Sequence, residues 1–250
     1  IKTKQLSTYG KFTKIFENKL QKCFKTQNLI CLSSGTAALH LSLKVLDINK
    51  NHEVFVSPLT YISTVNAIRY CNAQPHFFDV DKNNLSIDIS KFKDYLKKNT
   101  KIINKKCYSQ SSKKQIKALI VTHVNGLCCE IDVLKKICKA NHILLVEDAA
   151  ESLGCKYKNI PLGCFGDVGI VSFNGNKVIT TGGGGAIIFK SKKKLNLAHH
   201  LSTNSKIFKK NDVIHDRVGY NYRLPSLNAA LGISQLKKIK LFSKTKEKTT

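Results

Sequence analysis

Short, uniformly apolar runs alternate with segments of helical periodicity along most of the chain. The seven apolar runs are LICLSS, EVFVSP, QPHFFDVD, ALIVTHV, ILLVED, VGIVSF and GAIIFK. Strands that are apolar at successive positions are buried on both faces, as in parallel sheets. With helices between them, they predict an α/β fold in which a mostly parallel seven-stranded sheet is sandwiched by helices.

Helical periodicity marks the segments before, between and after these runs. The first predicted helix is KFTKIFENKLQKCF, and its predicted buried face consists of Phe12, Ile15, Phe16, Leu20, Cys23 and Phe24. A last helix is predicted over Pro225–Phe242. The polar segment Asn104–Gln115 follows neither period, so we predict that it is a surface insertion.

The composition is that of an ordinary globular chain. Hydrophobic residues make up 42% and charged residues 23% of the 250 residues. No apolar run approaches the roughly 18–20 residues that span a bilayer, and the stretch IKTKQLSTYGKF has no apolar signal-peptide core. We therefore expect a cytoplasmic protein with no membrane partner. Because the chain contains no Met, we also expect that it starts inside its reading frame.

The net charge of +26 raises the possibility of a nucleic-acid partner. However, the lysines are scattered through every segment, without interleaved aromatic residues or a zinc-finger or RNP-like motif. A Lys- and Asn-rich background explains the charge at least as well, so we expect no nucleic-acid partner. A positive field would still attract a substrate that carries a diphosphate.

The nine cysteines include no C-x-x-C pair. Cys31, Cys71 and Cys138 stand in apolar runs, where reduced cysteines act as small hydrophobes. Cys138 and His142 have helical i,i+4 spacing, but they close a helix that runs into a strand. We therefore expect no metal site.

Residues with possible chemistry come directly after several predicted strands, at the end where parallel sheets bind ligands. Ser34-Gly35-Thr36 follows LICL at the start of a helix, where free N–H groups can hold an anion; the alternative interpretation is a simple helix cap. Glu147-Asp148 ends the strand ILLV, where a buried carboxylate needs a cation or several donors; the alternative is a capping or salt-bridging Asp.

Three further residues complete this set. Tyr61 follows EVFVSP and either packs or faces a ligand, and Ser172 ends VGIV. Lys177 lies between Ser172 and the four-glycine run Gly182–Gly185, where backbone can approach a flat ligand closely. Together, an anion cup, a buried Asp, an exposed aromatic and this lysine match pyridoxal 5'-phosphate, which needs an amine for its aldehyde and an anion at its pyridine nitrogen.

Five strings of the sequence resemble the DegT/DnrJ/EryC1/StrS aminotransferases in order and spacing. They are SSGTAALHLSL, PLTYISTVNAI, VEDAAESLG, SFNGNKVITTGGGG and GYNYRLPSLNAALGISQL. The resemblance covers nearly the whole chain. It implies the large domain of a fold-type-I pyridoxal-phosphate transferase that moves an amino group from an amino acid, by resemblance glutamate, to a nucleotide-linked keto sugar.

The resemblance also implies a role for each matching residue. Lys177 would be the catalytic lysine that binds the cofactor covalently and moves the proton. Asp148 would pair with the pyridine nitrogen, Glu151 would lie near the ring hydroxyl and Tyr61 would stack on the ring. The phosphate would be held by Gly35, Thr36 and Ser172, and by Asn221 of a neighbouring subunit, which implies a homodimer with shared active sites.

Two features of the resemblance bear on the substrate. Many relatives have TTGEGG where this chain has TTGGGG at Thr180–Gly185, and this variant resembles the legionaminic-acid-type branch, whose substrate is a UDP-linked 4-keto-6-deoxy sugar. The family's dehydratase branch has histidine in place of the lysine, so Lys177 favours transamination. Another nucleotide sugar, or amination at C3, remains an alternative.

The resemblance further implies that the chain is a fragment. We predict an N-terminal helical segment at 1–27, a cofactor-binding large domain at 28–215 and, at 216–250, the start of a connection to a small C-terminal domain that is largely missing. We also expect the last helix to lack its usual partner. The alternative to an enzyme is a truncated, non-catalytic member of the family that acts by binding or regulation.

Overall fold

The computed structural model describes residues 6–8, 10–210 and 212–239. The helices of this part of the chain are α1 Lys11–Phe24, α2 Gly35–Val45, α3 Ile62–Tyr70, α4 Ile89–Asn99, α5 Ile131–Ala140, α6 Lys192–Ser202 and α7 Ser226–Lys237. The strands are β1 Leu29–Leu32, β2 His52–Val56, β3 Gln74–Phe77, β4 Thr100–Ile103, β5 Lys106–Ser109, β6 Gln115–Thr122, β7 Leu144–Asp148, β8 Lys156–Tyr157, β9 Ile160–Pro161, β10 Val168–Ser172, β11 Gly185–Phe189, β12 Lys206–Lys209 and β13 Asp212–His215.

The predicted α/β fold is confirmed, and its seven predicted strands form the body of one sheet in the order β1-β11-β10-β7-β6-β2-β3. The pairs from β10 to β3 are parallel, whereas β11 runs antiparallel to both β1 and β10. Successive residues of the central strands are buried on opposite faces: Val54 and Ile120 on one, Phe55 and Leu119 on the other. Both faces are therefore covered, which explains the unbroken apolar runs.

Two strands that the sequence did not predict extend the sheet. The strands β4 and β5 form an antiparallel hairpin, and β5 joins the sheet where Tyr108 pairs with Gln115 at the start of β6. Most of Asn104–Gln115 lies at the surface, as predicted, but the segment also contains regular structure, because β5 occupies Lys106–Ser109. Its backbone hydrogen bonds come from pairing with β4 and with the start of β6.

The first and last described helices, α1 and α7, pack against each other and contribute to one core cluster beside the sheet. The buried residues of α1 are Thr13, Phe16, Leu20 and Phe24, so the predicted buried face was too wide: Ile15 and Cys23 are exposed. The predicted helix Pro225–Phe242 is present as α7, and residues 240–242 lie outside the described part. In this structure α7 has a packing partner, α1. The predicted domain boundaries stay predictions.

The outer margins of β1 and β3 are each closed by a different device. At β1, the N–H of Cys31 donates to Glu17 of α1 at 2.9 Å, and burial raises the pKa of that carboxyl. At β3, Pro75 occupies the strand and has no N–H to offer to a further strand.

In the described residues, no helix is both long and apolar enough to cross a membrane.

Candidate active site

A cavity of about 480 Å³ opens at the carboxyl ends of the parallel strands. Seven of the eight site residues predicted from the sequence line it, namely Gly35, Thr36, Tyr61, Asp148, Glu151, Ser172 and Lys177. They come from different loops, which the parallel strands bring to the same edge of the sheet. The eighth residue, Asn221, does not line this cavity.

One wall of the cavity is an anion cup at the start of α2. The Ser34 side chain accepts a hydrogen bond from the Ala37 N–H at 3.0 Å, so the helix-cap interpretation is correct for Ser34. The two residues after Ser34 are Gly35 and Thr36. Their N–H groups have no acceptor among the described residues and lie at the positive end of the helix dipole. The helix cap, Ser34, and the cup residues, Gly35 and Thr36, are therefore successive residues of one turn.

Ser172 and the glycine run complete the cup. A β-carbon on Gly35 would lie 3.0 Å from that of Ser172, which places the Ser172 side chain directly beside the cup. Gly185, the first residue of β11, pairs with Ser172, and a β-carbon on Gly185 would lie 2.6 Å from the Ser34 carbonyl oxygen. A side chain at Gly185 would therefore push β11 away from the cup.

Asp148 forms the floor of the cavity at the end of β7 and is only 4% exposed. One of its oxygens accepts from the Thr64 hydroxyl at 2.6 Å and the other from the Ala150 N–H at 3.2 Å. Burial raises the pKa of the Asp148 carboxyl, although both hydrogen bonds and the charges of His123 and Lys177 act in the opposite direction. A buried carboxylate of this kind is stabilised by a cationic ligand atom in the cavity.

Glu147, the neighbour of Asp148, points to the opposite face of the sheet and is fully buried. Its oxygens accept four hydrogen bonds, from the ring of His123 at 3.0 Å and from the N–H groups of Gly163, Phe165 and Gly166 at 2.8, 2.6 and 2.6 Å. These donors satisfy the carboxylate internally. The acidic pair in the sequence is therefore one ligand-facing residue and one structural anchor.

A chain of threonine hydroxyls leads to Asp148, and the sequence analysis did not find it. The Thr60 hydroxyl donates to Thr64 at 3.1 Å and lies 2.9 Å from the Thr122 hydroxyl, while Thr64 donates to Asp148. Each hydroxyl has one hydrogen to donate, so Thr122 is the donor to Thr60. These hydrogen-bonded hydroxyls fix the orientation of the Asp148 carboxylate. The only sign of them in the sequence was that Thr60 follows an apolar strand and Thr122 ends one.

Lys177 lies in the turn between β10 and β11, and its side chain is 14% exposed. Its Nζ donates to Glu151 Oε1 at 3.0 Å, and the other oxygen of Glu151 accepts from the Asn125 N–H at 3.0 Å. Glu151 therefore holds the amine beside the cavity. An amine in this position can reach a ligand that lies over Asp148.

The two remaining predicted residues lie at the surface. Tyr61 precedes α3 at the rim of the cavity and is 72% exposed, so it does not have the packing role that was its alternative interpretation. Asn221 lies between Tyr220 and Tyr222 and is exposed, away from the cavity of its own chain. Its predicted role in a neighbouring subunit stays a prediction.

These residues fit the groups of pyridoxal phosphate. The cup offers N–H groups without acceptors, Asp148 favours a cationic nitrogen, and Lys177 supplies a primary amine beside both. A mostly parallel sheet with this arrangement at its carboxyl edge is the large-domain fold of pyridoxal-phosphate transferases of fold type I. No cluster of three or more His, Cys, Asp or Glu side chains suited to a metal occurs in the described ranges.

The chain belongs to the DegT/DnrJ/EryC1/StrS aminotransferase family, whose model matches residues 1–250. It is 36% identical over 231 residues to a GDP-perosamine synthase of Escherichia coli O157:H7, covering 92% of this chain and 59% of the relative. It is 34% identical over 238 residues to a UDP-4-amino-4,6-dideoxy-N-acetyl-beta-L-altrosamine transaminase of Campylobacter jejuni, covering 94% of this chain and 59% of that relative. The chain thus spans about three fifths of the length of these relatives.

Solved structures give the same result. The aminotransferase PseC of Helicobacter pylori, described as involved in the biosynthesis of pseudoaminic acid, superposes with a TM-score of 0.80 at 27% identity over 95% of this chain and 60% of that one. A sugar aminotransferase of Streptococcus pneumoniae superposes with TM-scores of 0.82 and 0.80 in its PMP-form and PLP-form, at 25% identity. The predicted family, fold type and cofactor are confirmed.

Proposed function

We propose that the protein is a transaminase that moves an amino group from an amino acid, with glutamate as the expected donor, to C4 of a nucleotide-linked 4-keto-6-deoxy sugar. The observation that carries the proposal is the meeting of Lys177, Asp148 and the anion cup in one cavity. The relatives, a GDP-perosamine synthase and a UDP-linked amino-sugar transaminase, support a nucleotide sugar as substrate. The cytoplasmic location expected from the sequence stays a prediction.

Each residue of the site has a task that its surroundings explain. Gly35, Thr36 and Ser172 would hold the cofactor phosphate, and Asp148, oriented by Thr64, would keep a proton on the pyridine nitrogen. Bound there, pyridoxal phosphate would supply a sink for the electrons released at the carbon that loses a proton. Tyr61 would contact the ring from the rim of the cavity.

Lys177 carries the proton transfers. Its amine removes the proton from the α-carbon of the amino donor and returns a proton at the carbon that receives the amine. Glu151, 3.0 Å from Nζ, keeps the amine close to the cavity between these two events. Lys177 is therefore the proposed general acid and base.

The cofactor assignment is tested by titrating the purified chain with pyridoxal phosphate, reducing with borohydride and mapping the labelled peptide. We expect a visible absorption band and a label at Lys177. Lys177→Ala should lose both the band and turnover while it retains phosphate affinity through the cup. Lys114→Ala, at a lysine outside the cavity that contacts Gln74, is the matched control and should behave as wild type.

A colourless, unlabelled chain would contradict the proposal and favour the alternative, a non-catalytic member of the family. The sugar is tested separately by offering GDP- and UDP-linked 4-keto-6-deoxy sugars with glutamate and detecting the amino sugar by mass. Relatives named for both nucleotides match the chain, so the preferred nucleotide is a result of this assay. Turnover of the corresponding 3-keto sugars in place of the 4-keto sugars would contradict the C4 assignment.

We also propose a homodimer in which Asn221 of one protomer contacts the cofactor phosphate held by the other. The exposed position of Asn221 outside its own cavity supports this arrangement. The rim residues Leu59, Tyr61 and Ile62 are 40%, 72% and 60% exposed, an apolar margin that a second protomer would cover.

A further inference from the structure

Four aromatic rings meet beside α2, and none of them lines the cavity. The centre is His40, a residue of α2 that is 7% exposed. The rings of Tyr70, Tyr220 and Tyr222 stand edge-on to it, with centroid distances of 5.7, 5.1 and 6.0 Å. Tyr220 and Tyr222 stack on each other at 5.0 Å with an interplanar angle of 19°. Edge-on and stacked pairs are favourable beyond the area that they bury.

One hydrogen bond gives this cluster a fixed geometry. His40 Nδ1 lies 3.1 Å from the Tyr222 hydroxyl oxygen. Burial, together with the charge of Lys44, lowers the pKa of His40, so the ring is neutral at pH 7 and one of its nitrogens is an acceptor. The bond therefore joins two neutral groups, and an aromatic residue without the nitrogen or the hydroxyl can replace either partner.

The backbone of the same segment is held on both sides. The N–H groups of Tyr220 and Tyr222 donate to the carbonyls of Leu201 and Ser202, at 2.7 and 3.2 Å. The Tyr222 carbonyl in turn accepts from the Ser33 N–H at 2.8 Å. Ser33 directly precedes the cup, so the segment 220–222 is attached to the loop that binds the phosphate.

The extended backbone decides where Asn221 points. Side chains alternate along an extended segment, and because Tyr220 and Tyr222 both face His40, Asn221 faces the opposite way, into solvent. We propose that His40, through Tyr222 and Tyr220, is the positioning residue that holds Asn221 ready for the active site of the neighbouring protomer. This inference rests on the proposed role of Asn221.

The physical advantage is preorganisation. A side chain that crosses to another protomer loses conformational freedom on contact, and a segment that is already fixed loses less. The same helix carries Gly35 and Thr36 at its start and His40 one and a half turns later. One helix thus supplies the cup for its own site and fixes the residue given to the other site.

Two substitutions remove the hydrogen bond and keep the rings, His40→Phe and Tyr222→Phe. We expect each to weaken the binding of pyridoxal phosphate about fivefold, the value of one ordinary hydrogen bond, and the double variant to be no weaker than the single ones. Tyr70→Phe is the matched control, because its hydroxyl has no hydrogen-bond partner among the described residues while its ring also faces His40. It should bind as wild type.

Mixed dimers distinguish positioning across the interface from a merely structural role. One protomer carries Lys177→Ala and His40→Phe under one affinity tag, and the other is otherwise wild type under a second tag. Only the second protomer keeps Lys177, so only its site can give the visible band. We expect that band to titrate about fivefold more weakly than in a mixed dimer whose first protomer carries Lys177→Ala alone.

The outcomes are separable. Weaker binding at the intact site supports the inference, because the lesion lies in the other chain. Unchanged binding there overturns it, even if the His40→Phe homodimer is impaired. If His40→Phe fails to fold, Tyr222→Phe is used in the same mixture. If the wild-type chain gives no visible band with pyridoxal phosphate, the result contradicts the proposed function and therefore also this inference.

Discussion

Two acidic side chains adjacent in sequence, Glu147 and Asp148, have opposite surroundings. The strand directs one to each face, and only Glu147 meets enough backbone donors to be satisfied within the chain. Asp148 has two donors and a cavity in front of it. The difference explains why one residue anchors a loop and the other is available to a ligand.

The raised pKa of Asp148 predicts a specific dependence of stability on pH. Because the carboxyl binds its proton more tightly in the folded chain, its stabilising contribution is present below about pH 4, the usual Asp range, and is lost as pH rises through the raised value. Asp148→Asn does not ionise. We expect the free energy of unfolding of Asp148→Asn, measured by urea titration without cofactor, to increase relative to that of wild type as pH rises from about 4 to about 8.

Asn174→Ala, at a residue that also lines the cavity, is the control because neither side chain ionises. Its difference from wild type should lack the rise expected for Asp148→Asn. A difference for Asp148→Asn that stays constant over the same pH range would contradict the assignment of a raised pKa.

At the residue scale, the groups at the strand ends were easier to predict from the sequence than the groups that support them. Lys177, Asp148 and the cup residues could be expected to meet because parallel strands end at one edge. The hydroxyl chain of Thr60, Thr64 and Thr122 could not, since a threonine near a strand end has many possible partners and only the packing of α3 selects one.

Among the elements, the contact between α1 and α7 depends on a glycine. A β-carbon at Gly232 of α7 would lie 2.6 Å from the ring of Phe16 and 2.8 Å from Thr181. Alanine is the better helix former by about 1 kcal/mol, but forcing an extra carbon into a packed core costs about 1–3 kcal/mol. We expect Gly232→Ala to lower the free energy of unfolding by about 1 kcal/mol in urea denaturation.

A double-mutant cycle with Phe16→Leu tests the cause. The smaller side chain leaves room for the methyl group, so Gly232→Ala should destabilise the Phe16→Leu background less than the wild-type background. Equal destabilisation in both backgrounds would show that the close approach to Phe16 is not the reason for glycine at this position.

The elements themselves were predictable where burial imposes a period. Six of the seven predicted strands and the helices between them bury an apolar run or stripe, whereas the outer strand β3 is exposed or half-buried along its length. The hairpin β4–β5 was missed because its residues follow no apolar period: Cys107 is buried in the core, but Ile102 and Ile103 are exposed. The face of α1 was predicted too widely, since Ile15 and Cys23 have helical spacing but lie beyond the area that the sheet and α7 cover.

At the scale of the whole molecule, the charge of +26 should act on the substrate through its diphosphate. Raising ionic strength from about 0.1 M to about 1 M shortens the screening length from about 10 Å to about 3 Å. We expect the affinity for GDP or UDP, measured by calorimetry, to fall about tenfold over this range. The corresponding nucleosides, which lack the diphosphate, are the control and should not respond.

Affinity for the diphosphates that does not change with salt would contradict the role given to the charge. Tight, salt-dependent binding of DNA by a chain that gives no visible band with pyridoxal phosphate would instead support the nucleic-acid alternative.

The closed margins of the sheet also restrict how copies of the chain can associate. At β1 the Cys31 N–H is already bonded to Glu17, and at β3 Pro75 offers no N–H, so neither outer strand can recruit the matching strand of another copy over its full length. A sheet that continues from protomer to protomer through β1 or β3 is therefore disfavoured by the native fold. The apolar margin of the cavity mouth offers association a surface of side chains and loops instead.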